Sequence, residues 1–391
     1  MRRINKVFAV TLLVFLLVMF LPFPLTIVSA EAISEYVGLE ESIKEALENL
    51  DLSDLEKYIA ELESNGADLK TRLLEYIKGG EVEYQSIFKQ IFSVFFGEVI
   101  ELLPVFSTIT AIALLCGILA EIQATTFHKQ LGSLIEIIAF SATIIPILQI
   151  FSKCFLATSD GILKMKEQMD LFFPVLLTLL AASGGSVSVA ICKPSIAFLS
   201  TTMVGVISKI ILPLILLIFF FAIVNRMSNE FKVGKFIAVF KSINKWLIGI
   251  GVSIFGLFFT TQGITAVTYD GIARRAAKYA IGNGIPIIGG FLSSGFDLAI
   301  AGSILIKNSL GYLGILVMIT TVLEPILLLC SVTILLRCCS AVTSPFSDNR
   351  ISDFLSDTAD SINYLSAGLL FTAFLYFLSI IIFISCTGGF F

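Results

Sequence analysis

Long apolar runs separated by short polar intervals recur along most of this chain. Runs at about 102–120, 132–151, 171–191, 197–224, 246–267, 285–306, 309–336 and 364–386 each approach the roughly 20 residues, about 30 Å of helix, that cross a bilayer core. The pattern predicts an all-α fold, a polytopic membrane helix bundle of about seven to eight spans with re-entrant or broken helices among them.

Some of the polar intervals are themselves patterned. Ile87, Phe88, Ile91, Phe92, Phe95, Phe96 and Val99, with Lys89, Gln90 and Ser93 between them, make an amphipathic helix suited to the membrane interface or to a neighbouring element. Phe236, Phe240, Ile243 and Leu247 share a face beside Lys232, Lys235, Lys241 and Lys245; Ile351, Phe354, Leu355, Thr358 and Ile362 form another beside Asp353, Asp357 and Asp360. The basic face suits an anionic inner leaflet, whereas the acidic one would be repelled by it and packs on protein. Core packing within the chain is the simpler account of both.

The same reading divides the chain. Residues 1–30 have the parts of a secretory signal: basic MRRINK, an apolar stretch, and a small-residue site ending at Ala30, with an uncleaved first helix as the alternative. Residues 31–83 form an acidic helical extracytoplasmic segment, 84–101 the interfacial helix, and 102–391 the multi-span domain. Between 31 and 90 there are 15 of the 30 acidic residues against six Lys or Arg. Ser42 with Glu45 and Ser53 with Glu56 have capping-box spacing, and Leu55, Ile59 and Leu62 continue a helical stripe.

Composition agrees and removes several classes of function. The chain is 57% hydrophobic and 14% charged, with a mean hydropathy of +0.95, outside the soluble range. Its seven cysteines form no CxxC pair and sit in or beside apolar runs, where they act as small hydrophobes. The single histidine, His128, excludes a histidine-rich zinc site. There is no GxxxxGK[ST], so any ATP-derived energy must come from a partner. The basic loops lack the interleaved aromatics of a nucleic-acid reader. No cofactor is predicted.

Strict alternation of these spans fails. With residue 31 outside, it puts the basic stretch 225–245 outside too, against the positive-inside rule. One segment within 171–224 is therefore not a simple span. Ala181–Ser188, with Gly184 and Gly185, reads as a re-entrant or broken element, tolerated only inside protein or along a cavity. The Arg274, Arg275 and Lys278 stretch raises the same parity problem. A faint echo at an offset of 112 residues pairs Pro174 with Pro286 and Pro213 with Pro325, as in proteins built from broken-helix repeats; chance similarity among apolar sequences explains it as well.

Charged residues inside apolar runs are Glu98, Glu101, Glu136, Lys209, Asp297 and Glu324. A charge at the bilayer centre costs about 2.5–3.5 kcal/mol even on lenient scales, so such groups face the bundle interior or water. Glu98 and Glu101 precede the first span. Asp297, Glu324, Lys209 and Glu136 are candidates for a polar pathway, with a Lys209–Glu136 ion pair or snorkelling as the structural alternative. Tyr269-Asp270 and Asp297 do not match an intramembrane aspartyl protease, because Ser294-Gly295-Phe296-Asp297 lacks its glycine pattern.

The stretch GITAVTYDGIARRAAKYAIGNGIPIIGGFLSSGFDLAIAGSILIKNSLGYLGI, residues 263–315, strongly resembles the signature region of the stage III sporulation protein AE family of endospore-forming bacteria. The resemblance implies a non-enzymatic membrane subunit of a channel-like complex between mother cell and forespore. Its setting would be the mother-cell membrane that surrounds the forespore. Its partners would be the other proteins of the same operon, including a separate ATPase, and stage II sporulation protein Q across the intermembrane space. The inferred role is to sustain late forespore gene expression. In this reading Arg274, Arg275 and Lys278 hold a short connector at the membrane surface. Gly282, Gly284, Pro286, Gly289 and Gly290 then start a broken helix carrying Asp297 into a polar pathway. The alternative is a stand-alone ion-coupled secondary transporter that uses Asp297, Glu324 and Lys209.

Overall fold

The structure, a computed structural model, describes residues 39–48, 50–62, 73, 84–126, 129–227, 233–284, 289–345 and 349–385. The 1–30 leader, Pro286 and the side chains of Glu136, Arg274 and Lys278 lie outside the described residues. All regular structure among those residues is helical: α1 (Leu39–Glu48), α2 (Ser53–Leu62), α3 (Tyr84–Thr126), α4 (Lys129–Ala182), α5 (Ser186–Ala197), α6 (Val204–Val206), α7 (Leu212–Met227), α8 (Gly234–Gly284), α9 (Gly289–Thr343) and α10 (Asn349–Ser385). π-Helical turns at Phe198–Met203 and Ile207–Ile211 join α5, α6 and α7 into one run.

Six helical stretches among the described residues are long and apolar enough to cross a membrane: Ser93–Leu115, Phe140–Ala182, Val204–Met227, Gly234–Leu257, Asp297–Thr343 and Arg350–Ser385. The chain is a multi-pass membrane protein. The stretches are fewer and longer than hydropathy windows suggest, because apolar runs read as separate spans are joined. Run 132–151 and the first part of 171–191, up to Ala182, merge in α4, and 285–306, from Gly289 on, merges with 309–336 in α9.

The polar interval of α4 shows why. Cys154, Thr158, Ile162, Met165 and Met169 are all buried at three- and four-residue spacing, which is one continuous helix face. On the outer face, Lys164 pairs with Asp160 and Lys166 with Asp170, both at 2.8 Å. A window average hides that face among the charges. Likewise residues 84–101 are continuous with the following span in α3, which runs unbroken through Pro104, and α8 begins twelve residues before the expected span at 246. Pro174 and Pro325 also sit inside continuous helices.

The break in the chain comes at Ser183-Gly184-Gly185. Gly184 has φ 79°, its N–H donates to Ala181 O, and Gly185 N–H donates to Leu180 O, the two bonds that close a helix in a Schellman motif. Gly185 O then accepts from Val189 N–H to start α5. At α2 the cap is not the one its capping box implies. The Asp51 carboxylate accepts from both the Ser53 N–H and the Ser53 hydroxyl, which lowers its pKa through the hydroxyl bond first, while Ser42 lies inside α1 rather than at its start.

Helix α10 is the centre of the bundle. It packs on α4, α7, α8 and α9, and 67% of its most apolar window is buried, against 17% for α8. Five of its hydroxyls are satisfied locally: Thr358, Ser361, Ser366, Thr372 and Ser379 each donate to the carbonyl four residues back, so they can be buried without outside partners. Phe140 and Phe219 pack on Phe354, and Phe173 on Tyr376 and Phe383. Glycines let neighbours close in. A Cβ at Gly251 would lie 2.6 Å from Phe371 Cζ, and one at Gly311 would lie 2.8 Å from Ile384 Cγ1.

Gly251→Val is therefore expected to destabilise the bundle by about 1–3 kcal/mol. Adding Phe371→Leu should restore part of that loss, as read by thermal unfolding in detergent. Equal midpoints for wild type and Gly251→Val would show that α8 does not pack this closely on α10.

Candidate functional site

Much of the polar chemistry of the bundle gathers in two layers, with a separate, exposed Lys153–Glu101 pair at 3.5 Å joining α4 to α3. At one end, the α10 stripe Asp353, Asp357 and Asp360 meets three bases from three other helices. Arg226, in the last turn of α7, reaches Asp353 at 2.7 Å and Asp357 at 3.0 Å. Lys241, in the second turn of α8, lies 3.4 Å from both Asp357 and Asp360. Arg337, near the end of α9, reaches Asp360 at 3.1 Å. Three carboxylates and three cations balance. Asp357 and Asp360, which bind the most partners, are also the least exposed of the acids, so their ion pairs are screened less than ordinary surface pairs.

The second layer holds α2 to the bundle. The Gln168 amide on α4 donates to the Tyr58 hydroxyl at 3.1 Å and to Thr321 Oγ1 at 2.6 Å, and Thr321 in turn donates to Val317 O. Gln168 Oε1 and the buried Tyr376 hydroxyl have no hydrogen-bond partner among the described residues. Burial raises the Tyr58 hydroxyl above the ordinary tyrosine value, with the Gln168 bond opposing it. Arg337 and Thr321 on α9, like Asp360 and Tyr376 on α10, are 16 positions apart. The layers are thus separated by about 24 Å at 1.5 Å per residue, close to the thickness of a bilayer core.

A buried cation lies past the second layer. Lys307 is fully buried, and its Nζ donates to Ile384 O at 3.2 Å, meeting the negative end of the α10 dipole.

The residues singled out from sequence are distributed differently. Lys209, in the second π-helical stretch, Asp297, at the start of a long apolar stretch, and Glu324 are all exposed on separate parts of the chain. The structure does not enclose them together in the interior of one chain. Glu136 lies on α4. Gly184 and Gly185 form the turn described above. Gly282 and Gly284 belong to the end of α8, and Gly289 and Gly290 to the start of α9. Arg274, Arg275 and Lys278 are not on a short connector but within the 51-residue α8, where Arg275 is exposed.

Sequence reasoning found the acidic stripe and Lys241 but not that they face each other, and it missed Arg226, Arg337, Gln168 and Lys307. A signal was available for the first two. An acidic stripe on so apolar a helix needs cations, and Arg226 and Arg337 close the two most apolar neighbouring runs. Lys307 was hidden because it falls between two windows read as separate spans.

Among the described residues no group of three His, Cys, Asp or Glu could hold a metal ion. Cys154, Cys330, Cys338 and Cys339 are free thiols.

Comparison with known proteins decides the family. The model of the stage III sporulation protein AE family matches residues 68–387. The chain belongs to this family. A curated relative, stage III sporulation protein AE of Bacillus subtilis (strain 168), is 29% identical over 317 residues, covering 81% of this chain and 79% of the relative. The matched region takes in both polar layers on the membrane helices, whereas α1 and α2 precede it. No solved structure matches. Membership in the family gives the chain a role in sporulation.

Asp357→Asn, which weakens an acceptor shared by Arg226 and Lys241, is expected to cost about 1–3 kcal/mol, and Asp353→Asn less, because Asp353 is more exposed. A double-mutant cycle with Arg226→Gln reads the coupling; additive effects would mean that the pair contributes nothing. Tyr58→Phe should loosen α2 by about 1 kcal/mol. Because its pKa is raised on folding, the Tyr58 contribution is complete below the ordinary value of about 10 and is lost only as pH climbs above it. Protease protection of α2 should therefore be level from pH 6 to 9, and a fall within that range would assign the latch to another group.

Proposed function

We propose that the chain is an integral membrane subunit of a sporulation channel or secretion-like complex. In this reading it lies in the mother-cell membrane surrounding the forespore and supports late forespore gene expression. Its partners are other proteins of the same operon, an ATPase among them, and stage II sporulation protein Q on the far side of the intermembrane space. The observation that carries the reading is the family match across 320 residues, which covers the long apolar helices and their ionic layer. In this reading the role is non-enzymatic, with the ion pairs and helix contacts of the bundle holding the subunit together.

The transporter alternative needs its coupling residues to converge on a site within one chain. Lys209, Asp297 and Glu324 are each exposed rather than enclosed within the chain, which favours a subunit that acts with partners.

The test is deletion and capture in an endospore-forming host that carries the protein. Deletion should arrest sporulation after engulfment with loss of a late forespore reporter, and the tagged chain should co-purify with the operon's membrane proteins. Normal spores from the deletion strain would end this reading. Ion movement by the purified chain alone in liposomes would replace it with the transporter.

A further inference from the structure

Two of the long apolar helices are more than twice as long as one membrane crossing. Phe140–Ala182 has 43 residues and Asp297–Thr343 has 47, about 65 and 70 Å of helix, against a hydrocarbon core of about 30 Å. Neither stretch contains a break at which it could turn back. Tilting does not absorb the excess, since even a 40° tilt fits only about 40 Å of helix into that core.

The surface shows which part lies within lipid. On α8 the exposed apolar side chains Phe236, Val239, Ile243, Trp246, Ile250, Ile254 and Leu257 form a stripe about 32 Å long at 1.5 Å per residue. It starts beside the ionic layer, where Lys241 sits. On α4 the large exposed apolar residues run from Ile138 to Leu163 and then stop, and on α9 they are Ile334 and Val342. In the described parts of α4 after Gln168, α9 between Asp297 and Thr320, and α10 after Tyr376, no large apolar side chain is exposed. Those segments turn their apolar residues inward instead: Phe172, Phe173 and Leu176 pack with Leu310, Leu313 and Ile380 in one core. The charged helices α1 and α2 sit at this same level, with α1 on α9 and α2 held to α4 by Gln168.

We propose that the bilayer is confined to the slab between the ionic layer and the Tyr58–Gln168–Thr321 layer. Beyond it α4, α9 and α10 continue, with α1 and α2, as a head outside the membrane. Residues 171–182 and 297–320, which hydropathy alone reads as further spans, are the core of that head. Lys307 closes α10 within it. Arg226, Lys235, Lys241, Lys245, Arg337 and Arg350 flank the short connections at the ionic end, where the positive-inside rule applies, so that end is cytoplasmic. The cations of the head, Lys164, Lys166, Arg275 and Lys307 among them, belong to a larger folded unit, which crosses largely regardless of charge, and the head is extracytoplasmic. Six crossings with α1 outside then place the adjoining ends of α7 and α8, Met227 and Gly234, inside, which removes the parity conflict around Arg226 and Lys241. Arg274 and its neighbours fall about 25 Å past Leu257 along α8, in the head rather than at the membrane surface. The inference deepens the subunit reading by naming the part of the chain that extracytoplasmic partners can reach, and it rests on that reading only for the partners.

Single cysteines in the full-length chain, with the native cysteines replaced, test it. The probes are Thr178→Cys, Ala181→Cys and Ala299→Cys in the head, Ile250→Cys in the slab and Ser242→Cys at the ionic end, all exposed. With a membrane-impermeant maleimide added to intact vegetative cells made to express the chain, whose extracytoplasmic face is open to the medium, positions 178, 181 and 299 should label. Position 242 should label only after permeabilisation, and 250 only in detergent. Positions 178, 181 and 299 staying unlabelled until detergent would put the head in lipid and overturn the proposal. Labelling of 178 and 299 from opposite sides, or of both only after permeabilisation, would overturn it as well. Ala181 backs up Thr178 if one variant fails to accumulate. Failure to capture partners alongside the expected labelling would sink the subunit reading and leave the head standing.

Discussion

The bundle depends on how α10 is held at its two ends. Its middle is among the most apolar stretches of the chain and is nearly all buried, so dispersion and close packing act along its whole length without fixing its depth. Polarity fixes it. Asp353, Asp357 and Asp360 lie near the start of the helix, and together they meet bases from three neighbouring helices, Arg226, Lys241 and Arg337. At the far end Lys307 meets the carbonyl of Ile384. Sliding any one of α7, α8 or α9 by a turn would strand a charge against apolar neighbours, a cost far above that of an ordinary packing error.

Helix length is the second constraint. A helix continues for as long as its inward face stays apolar and no glycine or turn stops it, whatever its outward face carries. In α4 that inward face runs unbroken past the charged interval, with Gly161 letting the chain approach Leu369 and Pro325 closely. It ends only where Gly184 adopts a left-handed conformation. Membrane thickness places no such limit on the helix, so the bundle outgrows the bilayer and the excess has to pack against something other than lipid. The burial of Phe172, Leu310 and Ile380 is the form that packing takes.

The two polar layers serve different ends. The ionic layer joins four helices of the membrane body and is compensated within itself. The Tyr58 layer joins a polar element from early in the chain to two helices of that body, through a single amide with an acceptor to spare. Such a joint is weaker and more local than the ionic one, and it lies at the level where the surface changes from apolar to packed.

Much of this was determined by sequence alone. An all-α membrane protein follows from composition and run length, because only helices satisfy their own backbone in lipid. The family follows from the long specific run at 263–315, and the break at Gly184-Gly185 from the crowding of small residues there. The tertiary structure alone decided which runs fuse into one helix, because a buried stripe of Cys154, Ile162, Met165 and Met169 is invisible to a window that averages over all faces. It alone decided that Lys241 faces the aspartates of α10 and that Lys307 caps the helix end 77 residues later. Pairing across such distances depends on which faces of the helices meet, and hydropathy carries no record of that.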